Sequence, residues 1–412
     1  MAVNVAPILS AHELSVLIDF LLFGATLAGV AILHRHTLAV ALVGLGAITL
    51  KKLLGTGFDE GPGFAGLFAH YENEWVLLAN LFLLLVGFAL LARHFEASRI
   101  PDWMASALPD NWTGGLVLLV LVFVISSFLD NIAAALIGST VAGHVFKGHV
   151  RIGYLAAIVA AANAGGAGSV IGDTTTTMLW IAGVSPLSVL HAYVAAVCAL
   201  FVSGIPASLA QQKYAPIVKD PPSGLQISFR HVGVVIVVLA SAIAANVGAH
   251  LFDARILDTL PLIGLAVAAA ILLTAPIARP DWSIVPRAAR GAIFLLALVS
   301  TASMMPVKSL PLPSWETALS LGFVSAVFDN IPLTALAIKQ GNYDWGVLAY
   351  AVGFGGSMIW FGSSAGVAVA GIMPEAKSVG RWLREGWPVV LAYVVGFFLM
   401  LALLGWNPEN LS

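Results

Sequence analysis

Residues 126–136 read SSFLDNIAAAL and residues 325–335 read SAVFDNIPLTA. Each stretch carries an Asp-Asn pair, Asp130-Asn131 and Asp329-Asn330, inside strongly apolar sequence. A carboxylate at membrane depth costs at least ~2.5–3.5 kcal/mol on insertion scales. Placing one there twice, each time beside an amide, is the feature that any account of the fold must accommodate.

The surrounding composition makes membrane depth the right frame. Of 412 residues, 59% are hydrophobic and 10% are charged, against about 25% charged residues in a soluble domain. Mean hydropathy is +0.96, and many apolar runs reach the ~20 residues that span a bilayer. The chain reads as an all-α polytopic membrane protein. Its first residues, MAVNVAPILSAHELS, lack a basic n-region, so the expectation is a retained first span rather than a cleaved signal peptide. The one cysteine, Cys198, excludes a disulfide framework, and a net charge of −2 points away from a nucleic-acid partner.

About ten full spans are predicted, near 15–33, 37–52, 75–92, 153–181, 186–209, 232–251, 259–278, 291–307, 345–373 and 386–406. The two DN stretches, 114–146 and 313–338, read differently. Each arm around DN has about 15 residues, roughly 22 Å of helix, which reaches the middle of a ~30 Å core but does not cross it. Charge decides between a hairpin and a span, because cytoplasmic loops collect Lys and Arg. With two re-entrant hairpins and the N-terminus outside, Lys51, Lys52, Arg255, Lys308 and Lys339 face out and the other 14 of the 19 Lys and Arg face in. If 114–146 crosses fully, the split becomes 6 inside against 13, and if both stretches cross it is 8 against 11. The hairpin topology fits best. It places the C-terminus outside as well, and it makes 53–74 an outward loop bearing Asp59, Glu60, Glu72 and Glu74.

The order is then three spans, a hairpin, a long Gly-rich span and one more span, repeated in the opposite orientation. That is a pair of inverted-topology repeats, as in secondary transporters. The predicted division is 1–212, a cytoplasmic linker at 213–231, and 232–412. Local sequence supports it. The DN pairs recur at an offset of 199, and GGAGSVIGD (165–173) recurs as GGSMIWFGS (355–363) at an offset of 190. Gly165, Gly166, Gly168 and Gly172, with Gly353, Gly355, Gly356 and Gly362, favour non-helical backbone in two broken helices. Such backbone is tolerated at membrane depth where it lines a cavity. Ser169, Asp173 and Thr174–Thr177 surround the first break, and Ser357, Ser363 and Ser364 the second. Carbonyls and hydroxyls beside a carboxylate suit a hard cation. The alternative is tight helix packing at the glycines, with hydroxyls bonded back to their own helices.

Asp130, Asp173 and Asp329 are the candidate Na⁺ ligands. Burial favours a neutral carboxylic acid and a bound cation favours the ionised form. One aspartate can therefore hold a proton or a metal cation, but not both. That competition is a minimal exchange mechanism. The structural alternative at each aspartate is a helix N-cap. Glu13 and Asp19 read as interfacial, Asn80 as polar glue between helices, and His191 as a packing histidine or a proton relay. His34 and His36 lack a third ligand. No nucleotide motif, nucleophile–base pair or His/Cys cluster is present, so an enzyme and a cofactor are not expected.

The strings FLDNI, NAGGAGSVIGDTTTTMLWI (163–181), GFGGSMIWFGSSAGVAVAG (353–371) and GWPVVLAYVVGFFLMLALLGW (386–406) resemble the ion transporter superfamily, and within it the NhaD-type sodium/proton antiporters. The resemblance implies Na⁺ (or Li⁺) and H⁺ as transported ions. It implies elevator-type alternating access, a scaffold that forms a homodimer, and a place in the bacterial inner membrane among lipid. It matches Asp130, Asn131, Asp329 and Asn330 to the hairpin motifs. Gly172, Asp173, Thr174 and Thr175 match the first broken helix, and Ser363 and Ser364 the second. Ser363 stands where the first copy has an acid, so the halves are chemically unequal. The related arsenite and organic-anion permeases supply the alternative function.

Overall fold

The computed structural model describes residues 10–33, 36–218, 226–252 and 255–410. Among them it is all-helical, with no strand and only two isolated bridges, Phe58 to Gly61 and Tyr343 to Glu409. The first half holds α1 (Ala11–Ile32), α2 (Thr37–Leu54), α3 (Gly63–Ala97), α4 (Ile100–Ala107), α5 (Trp112–Ser126), α6 (Asn131–Val145), α7 (Ile152–Ala167), α8 (Thr174–Ile181), α9 (Pro186–Leu190) and α10 (Ala192–Tyr214). The second half holds α11 (Phe229–Phe252), α12 (Arg255–Thr259), α13 (Leu262–Thr274), α14 (Val285–Ser303), α15 (Trp315–Ser325), α16 (Asn330–Gln340), α17 (Trp345–Gly355), α18 (Ser364–Ile372), α19 (Val379–Glu385) and α20 (Trp387–Leu404).

Seven helical segments among the described residues are long and apolar enough to cross a membrane. They coincide with seven of the ten predicted spans. The other three fall on shorter helices. Residues 259–278 reduce to α13, 13 residues long, and the two Gly-rich spans are interrupted. The predicted outward loop 53–74 is shorter than expected. α3 already starts at Gly63 and runs 35 residues, so Glu72 and Glu74 are helical. The predicted linker also shrinks, since α10 runs to Tyr214 and α11 starts at Phe229.

Both DN stretches fold as two helices joined by a short turn. α5 and α6 have 15 residues each, matching the predicted arms, whereas α15 and α16 have 11 each, about 16 Å. The first arm of each pair packs on the Gly-rich helix that follows it, α5 on α7 and α15 on α17. The second arm packs across the molecule, α6 on α18 and α16 on α8. A second group of helices, α1, α2, α3, α11, α13 and α14, packs mainly among itself.

Two polar features hold that second group. Asn80, buried in α3, accepts the Gly264 N–H at 2.9 Å and so bridges to α13, as expected of polar glue. Asp19 is not interfacial. It is 1% exposed and paired with Lys51 at 2.7 Å and Lys52 at 3.1 Å, which pins α1 to α2. Removing one partner of a buried pair leaves uncompensated charge and costs about 3–5 kcal/mol. Asp19→Asn, leaving two ammonium groups side by side, is expected to lower the melting temperature clearly. Adding Lys52→Met should recover part of the loss. Glu13 closes a capping box with Ser10 at the start of α1.

Lys339 ties the end of α16 to this group. Its ammonium donates to the carbonyls of Ser303 and Met305, the latter at 2.9 Å, and pairs with Asp59 at 2.8 Å. Burial opposes ionisation of Asp59, yet Lys339, with Lys52 and Lys308, holds its carboxyl below the ordinary value.

Candidate functional site

Four of the candidate residues are helix N-caps. Asp130 caps α6 by accepting the Ile132 N–H at 3.2 Å, and Asp329 caps α16 by accepting the Ile331 N–H at 3.1 Å. Asp173 caps α8, accepting the Thr175 N–H at 3.3 Å, and Ser363 caps α18, accepting the Gly366 N–H at 3.3 Å. All four are N-cap residue types of high preference. Capping alone therefore explains why Asp or Ser is tolerated there. It does not explain why Asp173 is 2% exposed and faces another element's polar side chain.

The breaks close the same way in both copies. Ser126 Oγ donates to the Ala162 carbonyl at 2.6 Å, and Ser325 Oγ donates to the Val352 carbonyl at 2.7 Å. These pairs are related by the sequence offsets of 199 and 190. The first break spans residues 168–173 and the second 356–363.

The glycines act differently from expectation. Gly165, Gly166, Gly353 and Gly355 lie inside helices, and no glycine of either break has positive φ. What they provide is close approach. A Cβ at Gly165 would sit 2.0 Å from the Phe123 carbonyl oxygen, and one at Gly355 would sit 2.3 Å from that of Gly322. Gly172 and Gly356 are likewise closed in by backbone carbonyls, and Gly362 by those of Ala326 and Gly356. The packing explanation holds for Gly165, Gly166 and Gly355, alongside a genuine break.

Of the threonine run, Thr176 Oγ1 donates to the Ser169 carbonyl at 2.6 Å and Thr177 Oγ1 to the Val170 carbonyl at 3.0 Å, so these two satisfy carbonyls freed by the break. Ser169 Oγ donates to the Ser127 carbonyl at 2.7 Å. Thr174 and Thr175 remain. Both are buried, and Thr175 Oγ1 faces the Asp173 carboxylate.

The predicted residues converge in two polar sets. In one, Asn330 Nδ2 donates to Asp173 Oδ2 at 3.3 Å, bringing the second DN pair to the first broken helix. In the other, Asn131 Nδ2 donates to Asn163 Oδ1 at 3.0 Å, while Asn163 Nδ2 donates to Ser357 Oγ at 2.9 Å and Ser363 Oγ at 3.1 Å. Asp329 accepts from Ser364 Oγ at 3.1 Å. Asp130 and Asp329 lie within electrostatic reach of Asp173. The three carboxylates do not meet as one cluster, and among the described residues no three His, Cys, Asp or Glu side chains form a metal-holding group.

Asn163 is the residue that sequence reading passed over. At the offset of 190 its counterpart is Gly353. The difference matters because Asn163 fills the region beside Ser363, whereas Gly353 leaves room beside Asp173. A Cβ there would lie 3.4 Å from Asp173 Oδ2 and 3.9 Å from Thr175 Oγ1, ordinary contact distances. The acid-bearing half thus has a small space bounded by a carboxylate, a hydroxyl and an amide, and the serine-bearing half has that space filled.

The weaker candidates lie elsewhere. His191 is exposed at the junction of α9 and α10, so it is neither a core histidine nor part of this site. His36 is exposed before α2, and His34 falls outside the described residues. Cys198 is a free, partly buried thiol in α10.

No family model matches the chain. Curated relatives do. "Sodium/proton antiporter 1" of Arabidopsis thaliana is 27% identical over 393 residues, covering 85% of this chain and 66% of that protein, so the chain spans just under two thirds of that relative's length. "Na(+)/H(+) antiporter NhaD" of Vibrio cholerae serotype O1 is 28% identical over 393 residues, covering 81% of this chain and 80% of that protein. The protein of the same name from Alkalimonas amylolytica is 25% identical over 362 residues, covering 74% and 73%. These are transporters by name, not enzymes. Over most of its length, therefore, this polytopic chain, all-helical among the described residues, is similar to proteins named as sodium/proton antiporters, NhaD among them.

Proposed function

We propose that the protein exchanges Na⁺ or Li⁺ for H⁺ across a membrane by alternating access, with Asp173 as the carboxylate that the two ions share. One observation carries this reading. Asp173 is buried, hydrogen-bonded to Asn330, and faces the Thr175 hydroxyl across the space beside Gly353. A hydroxyl oxygen beside a carboxylate is a donor set that suits a hard cation. The Asn330 amide suits a carboxylate that changes protonation state. An amide offers an N–H₂ to an ionised carboxylate and a carbonyl to a protonated one, so either state of the acid finds a partner.

The names of the relatives favour Na⁺ and H⁺ over the arsenite and organic-anion alternative. So does the site itself, since carboxylates around Asp173 would repel an anion. Two inverted repeats supply the architecture: hairpins re-entering from opposite sides and two broken helices. The recurrent cap and Ser-to-carbonyl bonds support that division, as does the crossed packing of α6 on α18 and α16 on α8. The helices α5–α8 and α15–α18 would move as an elevator against the α1–α3, α11, α13 and α14 group. That group would carry a homodimer contact, in a bacterial inner membrane with both chain ends outside.

The test is dissipation of an imposed pH gradient in proteoliposomes by added Na⁺ or Li⁺. Wild type should respond. Asp130→Asn and Asp329→Asn keep an N-cap residue and should fold, yet lose exchange. Unchanged exchange in both would remove Asp130 and Asp329 from the candidate Na⁺ ligands. Thr175→Val separates ligand from bystander. If the hydroxyl is a bystander, its removal should leave transport alone. As a cation ligand, its loss should raise the KM for Na⁺ about tenfold, the equivalent of one ordinary hydrogen-bond-sized interaction.

A further inference from the structure

A second polar cavity lies away from this site, where the start of α7 meets α10 and the α19–α20 junction. It has a volume of about 410 Å³ and is lined among others by Arg151, Gly153, Pro206, Arg384, Glu385 and Trp387. Arg151 is the N-cap residue of α7, a helix with no capping side-chain hydrogen bond among the described residues. An uncapped helix N-terminus presents free N–H groups and a partial positive charge. Side chains add to this. Glu385 is the one carboxylate of the lining, and it is shared by Arg151 at 3.6 Å and Arg381 at 3.5 Å. Arg384 has no ion-pair partner among the described residues, so the cavity keeps an excess of cationic charge.

Its position restricts the occupant. Trp387 opens a candidate membrane span, Trp387–Leu404, and is 58% exposed, with Leu383 and Leu391 also exposed nearby. Exposed Trp beside Arg at a span end is the arrangement of a membrane–water boundary. A contrasting cavity between α3 and α11 is also lined by arginine, but there Arg93 is already paired with both Glu96 and Asp281.

We propose that the Arg151–Arg384 cavity binds the phosphate headgroup of an anionic phospholipid, whose acyl chains lie against Trp387, Leu383 and Leu391. The lipid would bridge the two halves of the chain at the foot of α7 and α20. This does not depend on the transport reading. The test is native mass spectrometry of the purified protein in neutral detergent, titrated with phosphatidylglycerol, phosphatidylcholine or inorganic phosphate. Phosphatidylglycerol should be retained saturably and phosphatidylcholine should not. Arg384→Gln, at an exposed position, should weaken retention about fivefold, the share of one basic side chain at a membrane surface. Glu385→Gln, which removes the competing carboxylate, should tighten it. Equal retention of both lipids, or wild-type retention in both variants, would overturn the proposal. Displacement of phosphatidylglycerol by millimolar inorganic phosphate would overturn the lipid as occupant.

Discussion

Asp173→Asn is expected to fold normally and to transport nothing. The two halves of that result separate the roles of the residue. As an N-cap of α8, Asp173 accepts one backbone N–H, and Asn is as good a cap as Asp. A purely structural Asp173 would therefore tolerate the change with a melting temperature and an exchange rate near wild type. As an ion carrier, Asp173 supplies the one charge that both Na⁺ and H⁺ bind, and Asn supplies none. Removing one partner of a desolvated charge pair costs about 3–5 kcal/mol, more than a hundredfold in affinity. Exchange should fall to the background of empty liposomes. Loss of exchange with an unchanged melting temperature supports the ion-carrier role, and retained exchange excludes it.

Gly165→Ala is expected to have the larger effect on the fold. The added Cβ would sit 2.0 Å from the Phe123 carbonyl oxygen of α5, and backbone on both sides leaves nothing flexible to move aside. Overpacking of a close-packed interior costs typically about 1–3 kcal/mol, and a clash with backbone belongs at or beyond the top of that range. The purified variant should show a large drop in melting temperature or fail to accumulate in the membrane. Gly355→Ala, 2.3 Å from the Gly322 carbonyl oxygen, should behave alike. Gly233→Ala in α11 is the control. Its Cβ meets nothing within 4 Å, and Ala is favoured over Gly in a helix by about 1 kcal/mol. Normal stability in Gly165→Ala would remove the close-approach account of these glycines.

Much of the molecule was legible in its sequence because each signal had a local cause. The DN pairs marked turns between helices because Asp is a strong N-cap in an otherwise apolar run. The recurrence of Gly-Gly, and of Gly172 as Gly362, at a fixed offset marked the two broken helices. Other features depended on tertiary packing and carried no local signature. Asp19 looked interfacial because its partners, Lys51 and Lys52, lie on the next helix. Gly165 and Gly166 looked like break residues because composition cannot distinguish a glycine that bends from one that lets a neighbour approach. Asn163 was missed because a single amide in an Ala-rich helix resembles packing polarity. Only the comparison of position 163 with Gly353 at the same offset could have exposed it. His191 lay in an apolar run yet is exposed, because the run is interrupted where α9 gives way to α10.

The central claim is that one carboxylate holds either Na⁺ or a proton. Calorimetric titration of the purified protein with Na⁺ at a series of pH values tests it most directly. In the range where protons compete, the apparent Kd for Na⁺ should rise about tenfold for each unit that pH falls, the linkage expected of one proton displaced per cation. Asp173→Asn should show no Na⁺ heat at any pH. Na⁺ binding that is independent of pH, or that survives in Asp173→Asn, would contradict the account.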